Sequence, residues 1–209
     1  MPVVFVHGLW MTGLDSEILR SRLTRAGFAP SLFRYHSTNS TLADISAALA
    51  VHLRDCGPRV HVVGHSLGGV VALETFERHP DVPPGRIVLM GTPVRGARAA
   101  LALARNPVGR AILGPLAIAE LARDRERRWT QPRELGLIAG SRSIGLGRFL
   151  AKLPRPNDGT VAVDETTLPG AAGRVVHDAS HIGMLFSSAV TESLLHFLNT
   201  GSFGGRADD

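Results

Sequence analysis

The sequence predicts an α/β fold: a minimal, roughly six-stranded, mainly parallel sheet with helices on both faces. Three observations predict it. Short β-branched runs alternate with segments of helical period, and the runs are continuous apolar stretches of buried-strand length. A serine, Ser66, also stands between glycines where one such run gives way to a helix.

The elements follow in order. "PVVFVH" (2–7) reads as the first strand. Residues 15–26 place Ile18, Leu19, Leu23 and Ala26 on one helical face, with Asp15 or Ser16 as N-cap and Gly27 as stop. "SLFRYH" (31–36) is the second strand. Residues 41–56 put Leu42, Ile45, Leu49, Leu53 and Cys56 on one stripe, capped by Thr41 and closed by Gly57-Pro58. "RVHVVG" (59–64) is the third strand, followed by a helix over 67–79 that Pro80 ends. "RIVLMG" (86–91), "LGLIAG" (135–140) and "GRVVH" (173–177) complete the strands, and 182–199 is the last helix.

Composition bounds the rest. With 209 residues, 44% hydrophobic and 20% charged, the chain suits one domain over 1–199. Residues 97–133, Ala-Leu-rich and broken at Pro107 and Pro115, are expected to form a cap, a lid or covering helices, and 200–209 a flexible tail. The net charge of +5 comes almost wholly from arginine, Lys152 being the only lysine, and forms no dense basic stripe. No nucleic-acid partner is expected. A single cysteine, Cys56, excludes an intramolecular disulfide and is expected to be a buried apolar residue. No leader sequence and no membrane-length apolar run is apparent, so a cytoplasmic protein without stable membrane insertion is expected.

The stretch "VHVVGHSLGGVVALETF" (60–76) carries the chemistry. A sharp strand-to-helix turn lifts Ser66 into the open, and Gly64 and Gly68 lack the β-carbons that would collide in it. A hydroxyl is a poor nucleophile until a base takes its proton, so a histidine and an orienting carboxylate are required. Of nine histidines, His181 lies in a loop after the last strand and is preferred; His177 competes but sits at the strand end. His7 reads as structural and His65 as pointing away from Ser66. His36, His52, His61, His79 and His196 read as surface or helix-face residues. "PRPNDGTVAVDETTL" (154–168) offers Asp158, Asp164 and Glu165; Asp158, in an Asn-Asp-Gly turn, is preferred. For the oxyanion, the N–H groups of Leu67 and Leu9 are the expected donors, with Trp10 N–H the alternative to Leu9.

"VFVHGLW", "VVGHSLGG", "LMGTPVRG", "NDGTVAV" and "SHIGML" together resemble the α/β-hydrolase superfamily, in particular small bacterial lipases and esterases. The resemblance spans residue 3 to about 198. It implies Ser66 as nucleophile, Asp158 as acid, His181 as base, and Leu9 and Leu67 as oxyanion donors. Because the chain begins at the strand carrying "HG", the antiparallel strands that often precede it in larger members are not expected.

The expected activity is therefore serine-dependent cleavage of carboxylic esters through an acyl-enzyme, without metal or organic cofactor. The partner is a small-molecule ester with an apolar acyl group, contacted by Trp10 and Met11. Thioester or amide hydrolysis and acyl transfer would use the same residues, and a non-catalytic binding module is the rival from another class.

Overall fold

The structure is a computed structural model that describes residues 1–11, 14–36, 40–122, 126–145 and 153–204. Six strands, β1 (Pro2–Val6), β2 (Ala29–Phe33), β3 (His61–His65), β4 (Ile87–Met90), β5 (Leu135–Gly140) and β6 (Gly173–His177), form one sheet in the order β2-β1-β3-β4-β5-β6. Every neighbouring pair is parallel. Among the described residues six helices connect and cover them: α1 (Glu17–Arg25), α2 (Leu42–Asp55), α3 (Leu67–Arg78), α4 (Arg98–Leu103), α5 (Pro107–Leu121) and α6 (Ser188–Thr200).

The pleat divides the core into two layers, because successive side chains leave a strand on opposite faces. Val4, Val6, Val62, Ile87, Leu89, Leu135 and Leu137 face the layer shared with α2, α3 and α5. Val3, Phe5, Val63, Val88, Met90 and Ile138 face the layer shared with α1 and α6. Burial on both faces explains why these strands read as continuous apolar runs.

Local chemistry sets the helix ends. The Thr41 hydroxyl accepts the Asp44 N–H while the Asp44 carboxylate accepts the Thr41 N–H, a reciprocal cap on α2. Asn106 caps α5 by accepting the Gly109 N–H at 2.8 Å, with Pro107 at the first helical position. Gly114 (φ +74°) and Pro115 then break α5 into two halves.

Several expectations are corrected. β2 starts at Ala29 and ends at Phe33, not 31–36, because its ladder follows β1, with Pro2 opposite Ala29 and Val6 opposite Phe33. As an edge strand it tolerates Pro30. On α1 only Leu19 and Leu23 are buried; Ile18 and Ala26 are exposed, since this nine-residue helix packs mainly on β2 and α6 with a narrow stripe. Cys56 is half-buried because it lies beyond the last turn of α2. Beyond α6, Gly201 (φ +85°) closes the helix and Phe203 lies on Phe197 with ring centroids 4.7 Å apart; 205–209 lie outside the described residues.

Among the described residues no helix is long and apolar enough to cross a membrane.

Candidate active site

The chain runs from β1 outward to β2, then crosses back to β3 on the other side of β1. Loops leaving β1 and β3 therefore diverge, opening a crevice at their carboxyl ends. Gly8 and Ser66 stand on its two sides.

Ser66 sits between β3 and α3 with φ +54° and ψ −124°, outside the ordinary regions for a residue with a side chain. Among the described residues only Trp10 and Ser66 are non-glycine residues with positive φ. Holding each there costs on the order of 1 kcal/mol or more, which the surrounding structure must offset. The Ser66 N–H donates to Met90 O at 2.9 Å, fixing the turn to β4. Gly68 carries the close approach: a β-carbon there would fall 2.2 Å from Val6 O. The bare helix start leaves the Leu67 N–H without an intrahelical partner.

Asp158 and His181 meet at the same rim. The Asp158 side chain is buried, with Oδ1 accepting the Thr160 and Val161 N–H groups at 2.8 and 2.7 Å. Its Oδ2 accepts His181 Nδ1–H at 2.7 Å, and its carbonyl accepts the His181 N–H at 2.9 Å. Nδ1 thus carries the proton and Nε2 is left with its lone pair. Gly91, one residue past Met90, backs onto this pair: a β-carbon there would lie 3.1 Å from His181 Nδ1 and 3.2 Å from Asp158 Oδ2. The Met90–Gly91 bend therefore has Ser66 tied to one residue and the Asp158–His181 pair against the next.

His65 belongs to the site in a way its sequence position did not suggest. It is fully buried, and its Nε2–H donates to the His181 carbonyl at 2.9 Å, with the two rings 4.8 Å apart. Burial first, then the neighbouring His181, pushes its pKa down to about 3, so it stays neutral. Its ring runs toward the His181 loop, as a residue aimed away from Ser66 can.

The loop after β1 is a tight turn in which Met11 N–H donates to Gly8 O at 3.4 Å. Gly8 has no room for a side chain: a β-carbon would stand 3.0 Å from both the Ser66 β-carbon and Met11 Sδ. The Met11 sulfur also accepts the Gly8 N–H at 3.3 Å. Leu9 is half-buried against the α2–α3 layer, whereas Trp10 is 62% exposed and its indole N–H donates to Ile112 O on α5 at 3.0 Å. That carbonyl lies just before the Gly114 break, where helical partners run out. His7 is buried, stacked on Tyr35 at 4.5 Å, and donates from Nδ1 to Gly8 O.

The alternatives lie elsewhere. Asp164 forms a two-pronged ion pair with Arg98, and Glu165 accepts the Arg98 and Ala162 N–H groups. His177 Nε2 meets Ser193 Oγ on α6 at 3.0 Å. His61, expected at the surface, is buried at the start of β3, because both faces of that strand are covered. Among the described residues no His, Cys, Asp and Glu side chains gather in a group able to hold a metal ion.

Comparison with solved structures follows the same architecture. The chain is similar to a hydrolase from Pseudomonas aeruginosa (TM-score 0.67, 19% identity, covering 95% of this chain and 90% of that one). It is similar to an alpha/beta hydrolase fold protein from Chitinophaga pinensis (0.66, 16%, 96% and 90%). It also resembles phospholipase PlaB from Legionella pneumophila (0.60, 20%, 80% and 45%), of whose length it spans less than half. These likenesses establish the fold. No curated protein matches the sequence. A family model for the alpha/beta hydrolase family matches residues 3–193, which takes in the six strands apart from Pro2, the turn at Ser66 and the Asp158 and His181 loops. On that match and that fold, the chain belongs to the alpha/beta hydrolase family.

Proposed function

We propose that this chain is a serine hydrolase that cleaves carboxylic esters through an acyl-enzyme on Ser66. The observation that carries the reading is the 2.7 Å bond from His181 Nδ1 to a buried Asp158, on the rim where Ser66 is held in a strained turn. In this reading His181 Nε2 takes the Ser66 proton as Oγ attacks the ester carbonyl carbon. The carbonyl electrons move onto oxygen, where the Leu67 and Leu9 N–H groups stabilise the charge. The tetrahedral species collapses, the alcohol leaves with the proton from His181, and water repeats the sequence to release the acid. Asp158 holds the imidazole in the tautomer this needs and stabilises its transient positive charge.

The substrate fits a small ester with an apolar acyl group. Trp10, Met11 and the exposed Ile112 of α5 offer apolar surface beside the Ser66 turn, and the Trp10–Ile112 bond ties α5 to that loop as a cover. Labelling with a fluorophosphonate tests the reading: wild type should react and Ser66→Ala should not. A panel of p-nitrophenyl esters of rising chain length, with a thioester and an anilide, then sets the substrate class. Full esterase activity in Ser66→Ala, or no labelling of wild type, would overturn it.

A further inference from the structure

At the amino ends of the strands, opposite Ser66, lies a cavity of about 380 Å³ lined by Phe28, Arg59, His61, Arg86, Arg133 and Glu134, among others. That is the size of small-molecule sites, about 300–1,000 Å³. We propose that it binds a phosphate-class dianion, free phosphate or the head of a small phosphomonoester.

Three arginines face one glutamate in its lining, a positive excess that suits an anion with several oxygens. The arginines are poorly neutralised. Arg133 donates to the carbonyls of Pro83, Val82 and Pro80, which are neutral, and burial lowers its pKa. Arg86 donates to Leu198 O and has only a long 3.8 Å pairing with Glu134; its buried Nε has no hydrogen-bond partner. Arg59 is exposed at the edge of the cavity.

His61 supplies the directional group. It is 4% exposed, and its Nδ1 accepts the Arg86 N–H at 2.8 Å, so Nε2 carries the proton. That N–H has no hydrogen-bond partner among the described residues, and the ring lines the cavity. The ring edge opens onto the cavity, where an oxyanion would accept this N–H in place of water. The arginine fork suits phosphate oxygens, and Phe28, edge-on to His61 at 6.0 Å, gives an organic group an apolar wall.

The test is titration calorimetry on the intact chain with inorganic phosphate, glycerol 3-phosphate and glycerol as control. Saturable one-to-one binding of a phosphate probe is expected, weakening about tenfold in Arg59→Ala and in His61→Asn and persisting in Ser66→Ala. Tighter binding of glycerol 3-phosphate assigns the site to phosphomonoesters; equal binding assigns it to free phosphate. Arg59 is exposed, so its variant tests the site even where His61→Asn melts early. Three outcomes overturn the proposal: no saturable binding below about 10 mM, equal affinity in wild type and Arg59→Ala, or loss of binding in Ser66→Ala, which would move the ligand to the other rim.

Discussion

β3 begins with His61 and ends with His65, and the two ends of this five-residue strand teach different lessons. Both rings are buried and both stay neutral, His61 with a pKa pushed to about 4 and His65 to about 3, burial being the main cause in each. The secondary causes differ. At the amino end the Arg86 and Arg59 charges hold His61 down; at the carboxyl end it is His181. The bonding differs too. His61 accepts a backbone N–H and stitches β3 to β4, whereas His65 donates to the backbone of the loop carrying His181. The backbone strain lies at the carboxyl end, at Ser66 and Trp10. One rim is stapled by arginines on carbonyls, and the other is assembled from loops held in uncommon conformations.

The largest expected effect breaks that comparison at the carboxyl rim. Asp158→Asn keeps the shape but disturbs the His181 tautomer, and kcat on p-nitrophenyl butyrate should fall on the order of 10³–10⁴-fold with the fold intact by circular dichroism. A loss under tenfold would show that the pair does not drive the chemistry. Next come the two histidines. His65→Ala removes the bond to His181 O, and kcat should fall about 10- to 100-fold with KM changed less. His61→Asn should leave kcat/KM within about twofold. Equal losses from both would erase the distinction between the rims.

Two glycines give a matched pair for stability. Gly85→Ala puts a β-carbon 1.8 Å from Val60 O at the amino rim, and Gly68→Ala puts one 2.2 Å from Val6 O at the other. Each should destabilise by about 1–3 kcal/mol or more in urea unfolding, but only Gly68→Ala should lower the activity of the folded fraction. Acid completes the set. An unfolded histidine takes up a proton near pH 6.5, whereas these two stay neutral in the fold down to about 4 and 3. The unfolded chain therefore binds more protons below pH 6.5, and stability falls with pH by up to about 1.4 kcal/mol per unit for each ring. The loss ends near pH 4 for His61 and near pH 3 for His65. Melting temperatures should drop over that window, and His61→Asn should flatten the drop. The smallest effect is local: Thr41→Ala, which removes the α2 cap, should cost about 1 kcal/mol and leave activity alone.

The strands other than the bounds of β2, most helix ends and the turn at Ser66 were legible because each depends on neighbours a few residues away. Period, a capping Thr41 or a glycine pair two positions from a serine are local signals. Ile18 misled because helical period says which residues share a face and not how much of that face a neighbour covers. His61 misled because a histidine within a strand gives no local sign of which rim it faces or what charges gather there. His65 could have been found only by noting that a buried ring next to Ser66 needs a polar partner.

Sequence alone determined the alternation of strands and helices, and with it a parallel sheet whose strand ends hold Ser66, because side-chain period and glycine sterics act over one turn or one strand. Tertiary structure decided that Asp158 rather than Asp164 meets His181, that Trp10 reaches Ile112, and that two histidines four residues apart serve opposite rims. Those pairings join segments from over twenty to more than a hundred residues apart. Ladder register and loop closure set them, and no periodicity in the chain encodes either.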